Sequence, residues 1–404
     1  MQRITELDLP YLPVDEARFA ANPTPFLEAA RQQHPWLAAS PIGYFVHDYT
    51  AIRELLIQDN HLRTSFDGIV AMMGAEDTAW GRFTENQMIA HSAASHKRLR
   101  DLFAPRFTPR QADSHRTLMR SVINELLDEW APRGNFDFEE FASWFPISVM
   151  MTLVGAPRDE IPRLRSSLET LGLGFSMDPT IVPQLQEAIG ELDDFVQRLM
   201  AERRSNPLPV GGTDLLQVMM TASSEGNLTD RELADLLIFL FVAGYDTSKN
   251  VLTYTMHLMI DNPDIYERCA GDRDYCRKTV EESLRLFSPA TTFRMTVQDL
   301  VYRGVLLPRD TMLFFPLSIA GRDPGAFDEP DRFDPERVAN RRHVAFGLGA
   351  HMCLGQYIAR AQLQESLQLI ARRIRNPRRT APPGWRPFPG TWGIRGLPIT
   401  FTPG

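Results

Sequence analysis

The chain has 404 residues, 43% of them hydrophobic, which is ample for a large core without disulfide or metal staples. Its formal net charge of −8 argues against a nucleic-acid partner. No N-terminal stretch has the pattern of a signal peptide. The longest apolar run, nine residues at 236–244, is shorter than the roughly 20 residues of a membrane span. We expect a cytoplasmic protein without membrane contact.

Taken in chain order, helical periodicity dominates the sequence. The helices that it predicts lie near 15–33, 48–58, 96–104, 110–131, 139–154, 158–174, 183–205, 213–223, 229–260, 275–287 and 354–373. Strand patterns are short and occur near 43, 294–307, 311 and 397. No Pro- or Gly-rich patch separates segments of different composition. We therefore predict a mainly α fold with small peripheral β-sheets, in a single domain that spans residues 1–404.

One predicted helix is much longer than the others. Thr229 and Glu232 form a capping-box start and Pro263 marks the end, so about 30 residues would extend over roughly 45 Å. Gly244 in its middle costs about 1 kcal/mol relative to alanine. Asp246 and Thr247 follow and place polar groups beside the most apolar stretch of the chain. Such groups need polar partners or a ligand.

The chain has three cysteines and no Cys-x-x-Cys pair, which argues against a structural zinc site. Cys269 and Cys276 lie among charged residues and are interpreted as ordinary thiols. Cys353 is different because it lies in the glycine-rich segment FGLGAHMCLG, residues 346–355.

The surroundings of Cys353 favour an anionic sulfur. The glycines allow the backbone to turn sharply and to approach a flat group. Helical patterning resumes directly afterwards, and the N-terminus of a helix stabilises a thiolate. An inert buried thiol is the alternative. A single thiolate beside a flat neighbour instead suggests one axial ligand to a haem iron.

The segment FGLGAHMCLG resembles the haem-binding signature of the cytochromes P-450, Phe-Gly-x-Gly-x-His-x-Cys-x-Gly, and matches every defined position. Three further segments are similar to motifs of this family in the expected order. They are AGYDT at 243–247, EESLR at 281–285 and FDPERV at 333–338. Two positions depart from the common pattern: Val338 stands where an aromatic residue is frequent, and Gly321 replaces the asparagine of Asn-Arg-Asp-Pro. The resemblance implies the P-450 fold, with haem between the long central helix and the helix that follows the cysteine loop.

The resemblance also implies roles for individual residues. Cys353 would be the axial ligand, and Asp246 and Thr247 would relay protons to bound dioxygen. The other positions that would contact the cofactor are His96, Arg100, Ala243, Gly244, Arg294, Phe346, His351 and Gly355. Of these, His96, Arg100, Arg294 and His351 match positions that pair with haem propionates. Glu282, Arg285 and Arg337 would form a structural ion-pair network, for which a solvated surface pair is the alternative.

Substrate contacts are expected from the segment before the first propionate-binding helix, from the strand after EESLR, and from the C-terminal segment. The candidates are Phe66, Met72, Met73, Met88, Ile89, Ala290, Thr291 and Ile394. Flexible methionines suit an adaptable apolar pocket. Ordinary core packing is the alternative explanation for each of these residues.

These features predict a haem-thiolate monooxygenase that contains haem b (iron protoporphyrin IX) and hydroxylates a small, mostly apolar organic substrate with O2. A peroxygenase or isomerase, and a non-catalytic haem carrier or sensor, are the alternatives. No redox module is fused to the chain, so two electrons would come from a separate ferredoxin and ferredoxin reductase. Basic residues that could steer an acidic ferredoxin are Lys97, Arg98, Arg106, Arg341, Arg342 and Arg360. A generic solvated face is the alternative.

Overall fold

The computed structural model describes residues 2–209, 212–338 and 342–404. Helices make up most of this part of the chain. The α-helices are α1 Ala17–Ala21, α2 Thr24–Gln33, α3 Tyr49–Leu56, α4 Phe66–Met72, α5 Ala79–Asn86, α6 Ala93–Phe103, α7 Pro109–Ser114, α8 Arg116–Trp130, α9 Phe138–Val154, α10 Ile161–Gly172, α11 Val182–Ser205, α12 Leu215–Ser224, α13 Asp230–Asp261, α14 Pro263–Gly271, α15 Arg273–Leu286, α16 Leu317–Ala320 and α17 Gln356–Arg373. The prediction of a mainly α fold is confirmed.

The strands are short and form four small sheets within the described residues. They are β1 Gln2–Arg3, β2 Leu37–Ser40, β3 Gly43–Val46, β4 Leu62–Arg63, β5 Asn135–Asp137, β6 Thr291–Thr296, β7 Leu300–Tyr302, β8 Val305–Leu307, β9 Met312–Pro316, β10 Ile374–Arg379, β11 Gly384–Trp385, β12 Ile394–Arg395 and β13 Pro398–Pro403. The largest sheet has the order β2-β3-β9-β6-β4, in which only β3 and β9 pair in parallel. The smaller sheets have the orders β1-β8-β7, β10-β13-β5 and β11-β12.

The long helix α13 organises the helical core. Its predicted start is confirmed, because Thr229 and Glu232 form the reciprocal capping box, with the Thr229 N–H donating to Glu232 Oε2 at 2.8 Å. Asn262 caps the end, and Pro263 opens the next helix. The 32 residues of α13 extend over about 48 Å. Helix α9 packs along α13, and apolar side chains from both helices belong to the main core.

Several elements were not predicted, each for a local reason. Pro263 ends α13 but also occupies the first position of α14, where a missing N–H costs nothing. Strand β10 contains Pro377 at a register shift between Arg375 and Arg378, so its sequence lacks a strand pattern. It forms because β13 supplies a partner from the chain end. Helices α4 and α5 lie in the segment that was interpreted only as a source of substrate contacts.

His47 is a fully buried histidine at the end of β3. Its backbone N–H donates to the Trp36 carbonyl at 3.0 Å, but neither ring nitrogen has a partner among the described residues. Burial is the main cause, and together with the positive charge of Arg31 it lowers the pKa of His47 to about 4, although Asp323 acts in the opposite direction. The folded protein therefore holds this imidazole neutral.

A neutral buried histidine makes stability depend on pH. Between the unfolded pKa of about 6.5 and the folded value of about 4, only the unfolded chain binds the proton, so stability falls as the pH falls. We expect His47 to contribute a loss of about 1.4 kcal/mol per pH unit across this window. Urea unfolding of the wild type and of His47→Gln at pH 7 and pH 5 measures it, since the variant retains every other titrating group. Parallel pH dependences in the two proteins would contradict the assignment.

Candidate functional site

The cysteine loop is closed by backbone contacts. The Cys353 N–H donates to the Phe346 carbonyl at 2.8 Å, and α17 begins three residues after the cysteine, at Gln356. Gly349 has a φ of +71°, and a side chain there would stand 2.9 Å from the Leu56 carbonyl oxygen. The loop therefore needs glycine at this position for both conformation and space. The expected position of Cys353, directly before a helix N-terminus, is confirmed.

The electrostatic surroundings of Cys353 act in two directions. The thiol is exposed to the cavity, but the protein atoms around it restrict its contact with water, and this enclosure raises the pKa of the thiol above its usual value. The backbone N–H groups of Gly355 and Gln356, with the guanidinium groups of Arg100 and Arg360, lower it in part. A bound metal ion would favour the deprotonated sulfur. The amides and arginines are placed to stabilise the sulfur once it is anionic.

A cavity of ≈310 Å³ separates the cysteine loop from the middle of α13. Its lining is mostly apolar. From the cysteine loop and the start of α17 it includes Phe346, Gly347, Leu348, His351, Met352, Cys353, Leu354 and Gly355. From α13 it includes Phe239, Leu240, Ala243, Gly244, Thr247, Ser248 and Val251. The volume lies within the usual range for small-molecule and cofactor sites.

The lining residues of α13 form two rows at a spacing of four residues, as one face of a helix requires. Thr247 belongs to one of these rows, and its hydroxyl donates to the Ala243 carbonyl at 2.8 Å. The hydroxyl is therefore held at the cavity wall, opposite the cysteine loop. Its resting partner is a backbone oxygen that it can exchange for another acceptor by a rotation about χ1.

Gly244 lines the cavity, but packing between helices gives a more direct reason for its lack of a side chain. A Cβ at this position would stand 2.9 Å from Met150 Cγ and 3.0 Å from Met150 Sδ. Met150 lies on α9, so glycine lets α9 and α13 approach closely. Gly244 therefore serves the packing of α9 against α13 as well as the cavity wall.

Asp246 does not line the cavity, although Thr247 next to it does. Its side chain turns away from the cavity and is almost fully buried. Arg386 Nη1 and Asn250 Nδ2 donate to Asp246 Oδ1, the latter at 3.2 Å. The second carboxylate oxygen, Oδ2, is buried without a partner among the described residues and lies against Gly172. The acid and the alcohol therefore face different surroundings, and the expected proton relay through both residues stays a prediction.

Lys249 connects Asp246 to the protein surface. Its ammonium group is 2.9 Å from Glu139 Oε1, 3.5 Å from Asp246 Oδ1 and 3.6 Å from Glu169 Oε1. The lysine is buried, whereas the Glu169 side chain is 43% exposed. The Tyr245 hydroxyl also donates to Glu169 Oε1, at 2.8 Å. A chain of charged groups therefore runs from solvent to the back of Asp246.

Cationic and imidazole side chains gather at one edge of the cavity. Arg294 is buried, forms no ion pair with a described residue, and has its pKa lowered to about 10 by burial. Arg100 donates to the Met352 carbonyl at 2.7 Å. The rings of His96 and His351 stack 4.1 Å apart, and His96 Nε2 and His351 Nδ1 have no partner among the described residues. This edge is built to receive anionic groups. His96 stands behind His351 and is not itself part of the lining.

Glu282, Arg285 and Arg337 form one buried ion-pair network. Arg285 Nε and Nη2 bind both carboxylate oxygens of Glu282, at 2.9 and 2.8 Å, and Arg337 Nε binds Glu282 Oε1 at 3.1 Å. Arg285 also donates to the carbonyls of Gly321, Pro330 and Arg332. A side chain at Gly321 would collide with the Arg285 backbone, which explains the glycine in this motif. The network joins α15 to the segment 321–337.

Three of the eight expected substrate contacts, Met88, Ile89 and Ala290, line the cavity. The other five do not, which corrects the prediction for them. Phe66 packs its ring 4.9 Å from that of Phe293, in an aromatic cluster. Met73 and Ile394 are buried in the core, and Met72 is exposed at the surface. Thr291 precedes the lining residue Thr292 on β6, so its side chain points to the opposite face.

Sequence reasoning missed several lining residues. They include Leu56, Phe107, Met150, Phe239, Leu240, Ser248, Val251, Thr292, Leu317 and Gln362. The α13 members could have been found by stepping four residues in both directions from Ala243 and Gly244. Phe107, Met150 and Gln362 come from helices or turns distant in sequence, and no local pattern marks them.

The basic set expected to steer a redox partner is largely neutralised. Lys97 pairs with Asp101, Arg98 with Glu232, and Arg360 with Glu281. Arg106 and Arg342 form no ion pair with a described residue, and Arg341 lies outside the described residues. Three of the five described residues are therefore paired with carboxylates, and the steering of an acidic ferredoxin by this set stays a prediction.

Comparison with known proteins places this architecture in a family. The family model Cytochrome P450 matches residues 174–375. The chain is 32% identical over 399 residues to Luteothin monooxygenase from Streptomyces thioluteus, with 98% of this chain and 96% of that protein covered. It is 29% identical over 400 residues to Cytochrome P450 monooxygenase PikC from Streptomyces venezuelae, with 96% and 92% covered. The crystal structure of the myxobacterial cytochrome P450 CYP267B1 with myristic acid superposes with a TM-score of 0.87 at 25% identity, covering 96% of this chain and 98% of that one.

The chain belongs to the cytochrome P450 family and is an oxidoreductase of the monooxygenase class. The family implies a haem-thiolate cofactor, and the residues present fit such a group. Cys353 offers the one thiol among the described residues that line the cavity. The unpaired Arg294, Arg100 and the unpartnered His351 Nδ1 suit the two propionates. Within the described residues, no helix combines the length and the apolar character that a membrane span requires.

We expect Glu282→Ala to unfold more easily than the wild type and to retain less haem. The change leaves the Arg285 guanidinium buried without its carboxylate, and breaking a buried pair costs about 3–5 kcal/mol. Urea unfolding and the haem content per chain measure the effect. Asp274→Ala, on the same helix but 83% exposed, is the matched control and should change neither quantity appreciably. A Glu282→Ala protein with full haem, normal stability and lost turnover would contradict the structural role.

Proposed function

We propose that the protein is a haem b monooxygenase that hydroxylates a small, mostly apolar organic molecule with O2 and two electrons from a separate redox partner. A ferredoxin with its reductase is the proposed donor, and the 404 residues are proposed to form one P450 domain. The observation that carries the proposal is the arrangement of Cys353 and Thr247 on opposite walls of one apolar cavity.

When bound, haem would supply the binding and cleavage of O2, and in this family a thiolate ligand favours that chemistry. Cys353 would hold the iron. Arg100, Arg294 and His351 would hold the propionates, and His96 would support His351 through the ring stack. Phe346 and Gly355 lie beside the sulfur, and Ala243 and Gly244 bound the opposite wall.

The chemistry of the cavity supports an apolar substrate. Met88, Ile89, Phe239, Leu240 and Ala290 contribute hydrocarbon or thioether surface to its wall. Burial of apolar substrate surface against such a wall is worth about 25 cal/mol per Å². The hydroxyls of Ser248 and Thr292 are polar groups that could orient a substrate there.

Proton delivery is assigned to Thr247 and, behind it, to Asp246. The Thr247 hydroxyl can donate into the cavity after it releases the Ala243 carbonyl. Asp246 could take a proton from the Lys249 side, where Glu169 reaches solvent, and pass it on after its side chain turns. Arg386 and Lys249 bind the same carboxylate, so they set how readily it turns.

The identity of the axial ligand is tested by the absorption spectrum of the ferrous carbon-monoxide complex. We expect the spectrum of a thiolate-ligated haem in the folded wild type. Cys353→His should convert it to the spectrum of a histidine-ligated haem if the protein folds and binds haem. A histidine-type spectrum in the wild type would overturn the haem-thiolate assignment.

We expect Thr247→Ala to uncouple turnover while leaving haem and substrate binding intact, because the hydroxyl is a partner of neither in the resting enzyme. Less product should form per reductant consumed, and hydrogen peroxide should accumulate in its place. Thr247→Ser retains the hydroxyl and is the matched control. Asp246→Asn is less informative, because it removes a buried partner of Arg386 and Lys249. Equal product yields for wild type and Thr247→Ala would show that another group delivers the proton.

A further inference from the structure

Glu281 lies beside Glu282 in sequence but makes a separate set of contacts. Its two oxygens accept from Arg360 of α17, from Nε at 2.8 Å and from Nη2 at 3.3 Å. The third nitrogen of Arg360, Nη1, donates to Gln356 Oε1 at 3.0 Å. The side chains of Arg360 and Glu281 are 24% and 12% exposed, so this is a largely buried, bidentate pair with a fixed geometry.

A histidine completes the anchoring of Glu281. His343 Nε2 is 3.2 Å from Glu281 Oε2, and His343 Nδ1 accepts from the Ala345 N–H at 3.2 Å. Burial alone would raise the pKa of Glu281, but the contacts with His343 and Arg360 hold it at about 2. Glu281 is therefore an anion throughout the range in which the protein works, and it fixes Arg360 in one orientation.

Arg360 faces the cysteine loop on its other side. Its guanidinium carbon lies 4.3 Å from the centre of the Phe346 ring, within the range of a cation–π contact. The Phe346 carbonyl accepts the Cys353 N–H at 2.8 Å. One short chain of contacts thus leads from Glu281 through Arg360 and Phe346 to the backbone of Cys353.

We propose that Arg360, anchored by Glu281, is a positioning residue that fixes Phe346 beside Cys353 and sets the reduction potential of the haem iron by its positive charge. The inference rests on the haem-thiolate assignment made above. A positive charge near the sulfur stabilises the reduced state, because reduction adds one electron to the iron–thiolate unit. Low exposure makes this influence stronger than that of a surface arginine, whose field water and salt screen.

This role differs from the one that the sequence favours for Arg360, a docking cation for an acidic partner. Three of the five N–H donors of Arg360 are bound to Glu281 and Gln356, and its side chain is only 24% exposed, so it is poorly placed to bind a partner. Its charge acts inward, on Phe346 and Cys353. Docking of an acidic partner and the reduction potential of the haem iron are therefore separate properties, and substitution of Arg360 tests the second.

The test is the midpoint potential of the haem in the full-length holoprotein, measured by spectroelectrochemical titration. We expect Arg360→Gln to lower the potential and Glu281→Gln to raise it, because they remove charges of opposite sign. A change on the order of tenfold in the one-electron equilibrium constant, which is about 59 mV, is the expected scale for each. Arg360→Lys retains the charge and should lie closer to the wild type than Arg360→Gln.

Arg373→Gln is the matched control. Arg373 lies on the same helix, 13 residues further along, and is ion-paired with Asp128 at 2.8 Å. Its distance along the helix is about 20 Å, so its charge should scarcely affect the potential. The inference is overturned if Arg360→Gln and Glu281→Gln shift the potential in the same direction, or if neither exceeds the control.

The ferrous carbon-monoxide spectrum separates this inference from the proposed function. A thiolate-type spectrum in the wild type, with potentials that do not respond to the substitutions, would overturn the role of Arg360 alone. A histidine-type spectrum in the wild type would overturn the haem-thiolate assignment first. Should Arg360→Gln fail to fold, Glu281→Gln retains the test, because the same charge argument requires its upward shift.

Discussion

The fully buried guanidinium of Arg285 constrains the part of the molecule around α15 and the segment 321–337. An arginine has five N–H donors, and each must find an acceptor once water is excluded. Glu282 supplies the charge balance, and the carbonyls of Gly321, Pro330 and Arg332 take the remaining donors. The segment 321–337 therefore has to wrap around the C-terminal end of α15 in one way. The cysteine loop follows the segment 321–337 in sequence, and α17, which follows the loop, packs against α15. The chain before Cys353 and the helix after it are therefore both connected to the buried Arg285.

The adjacent residues Glu281 and Glu282 bind different parts of the chain around the cysteine loop. Glu282 faces the segment that precedes the cysteine loop, whereas Glu281 faces the helix that follows it. Two adjacent carboxylates on one helix thus hold the chain on both sides of the sulfur. Two adjacent buried carboxylates are stable here because each is paired with its own arginine, Glu282 with Arg285 and Glu281 with Arg360.

Sequence patterns predict the parts of the molecule that local rules determine. The limits of α13 follow from its capping box and from Pro263, and the start of α17 follows from the cysteine loop. Strands β5 and β10 both pair with β13 and not with a neighbour in sequence, so no local pattern predicts them. The same limit applies to charges. Arg98 and Arg360 read as free cations because Glu232 and Glu281, which neutralise them, lie 134 and 79 residues away.

The arrangement around Asp246 shows why adjacency in sequence misleads on a helix. Successive residues are turned by about 100° from one another, so Thr247 faces the cavity while Asp246 faces α10 and Arg386. A sequence motif therefore identifies residues near a site, but it does not show which of them line the same side of the cavity. The residues of α13 that line the cavity are spaced four apart in sequence, and a short motif does not show this spacing.

The burial of Lys249 has a practical consequence for chemical labelling. The sequence contains only three lysines, Lys97, Lys249 and Lys278, and all other basic side chains apart from histidine are arginines. Lys249 is 1% exposed and enclosed by carboxylates, so an amine-reactive reagent meets only Lys97 and Lys278 among the side chains of the folded protein. Lys97 lies on α6, and Lys278 lies on α15 near the segment 335–338. A lysine-directed cross-linker would therefore link a bound protein only to the side chains of Lys97 and Lys278. A reagent that reacts with carboxylates would be needed to map the rest of the surface.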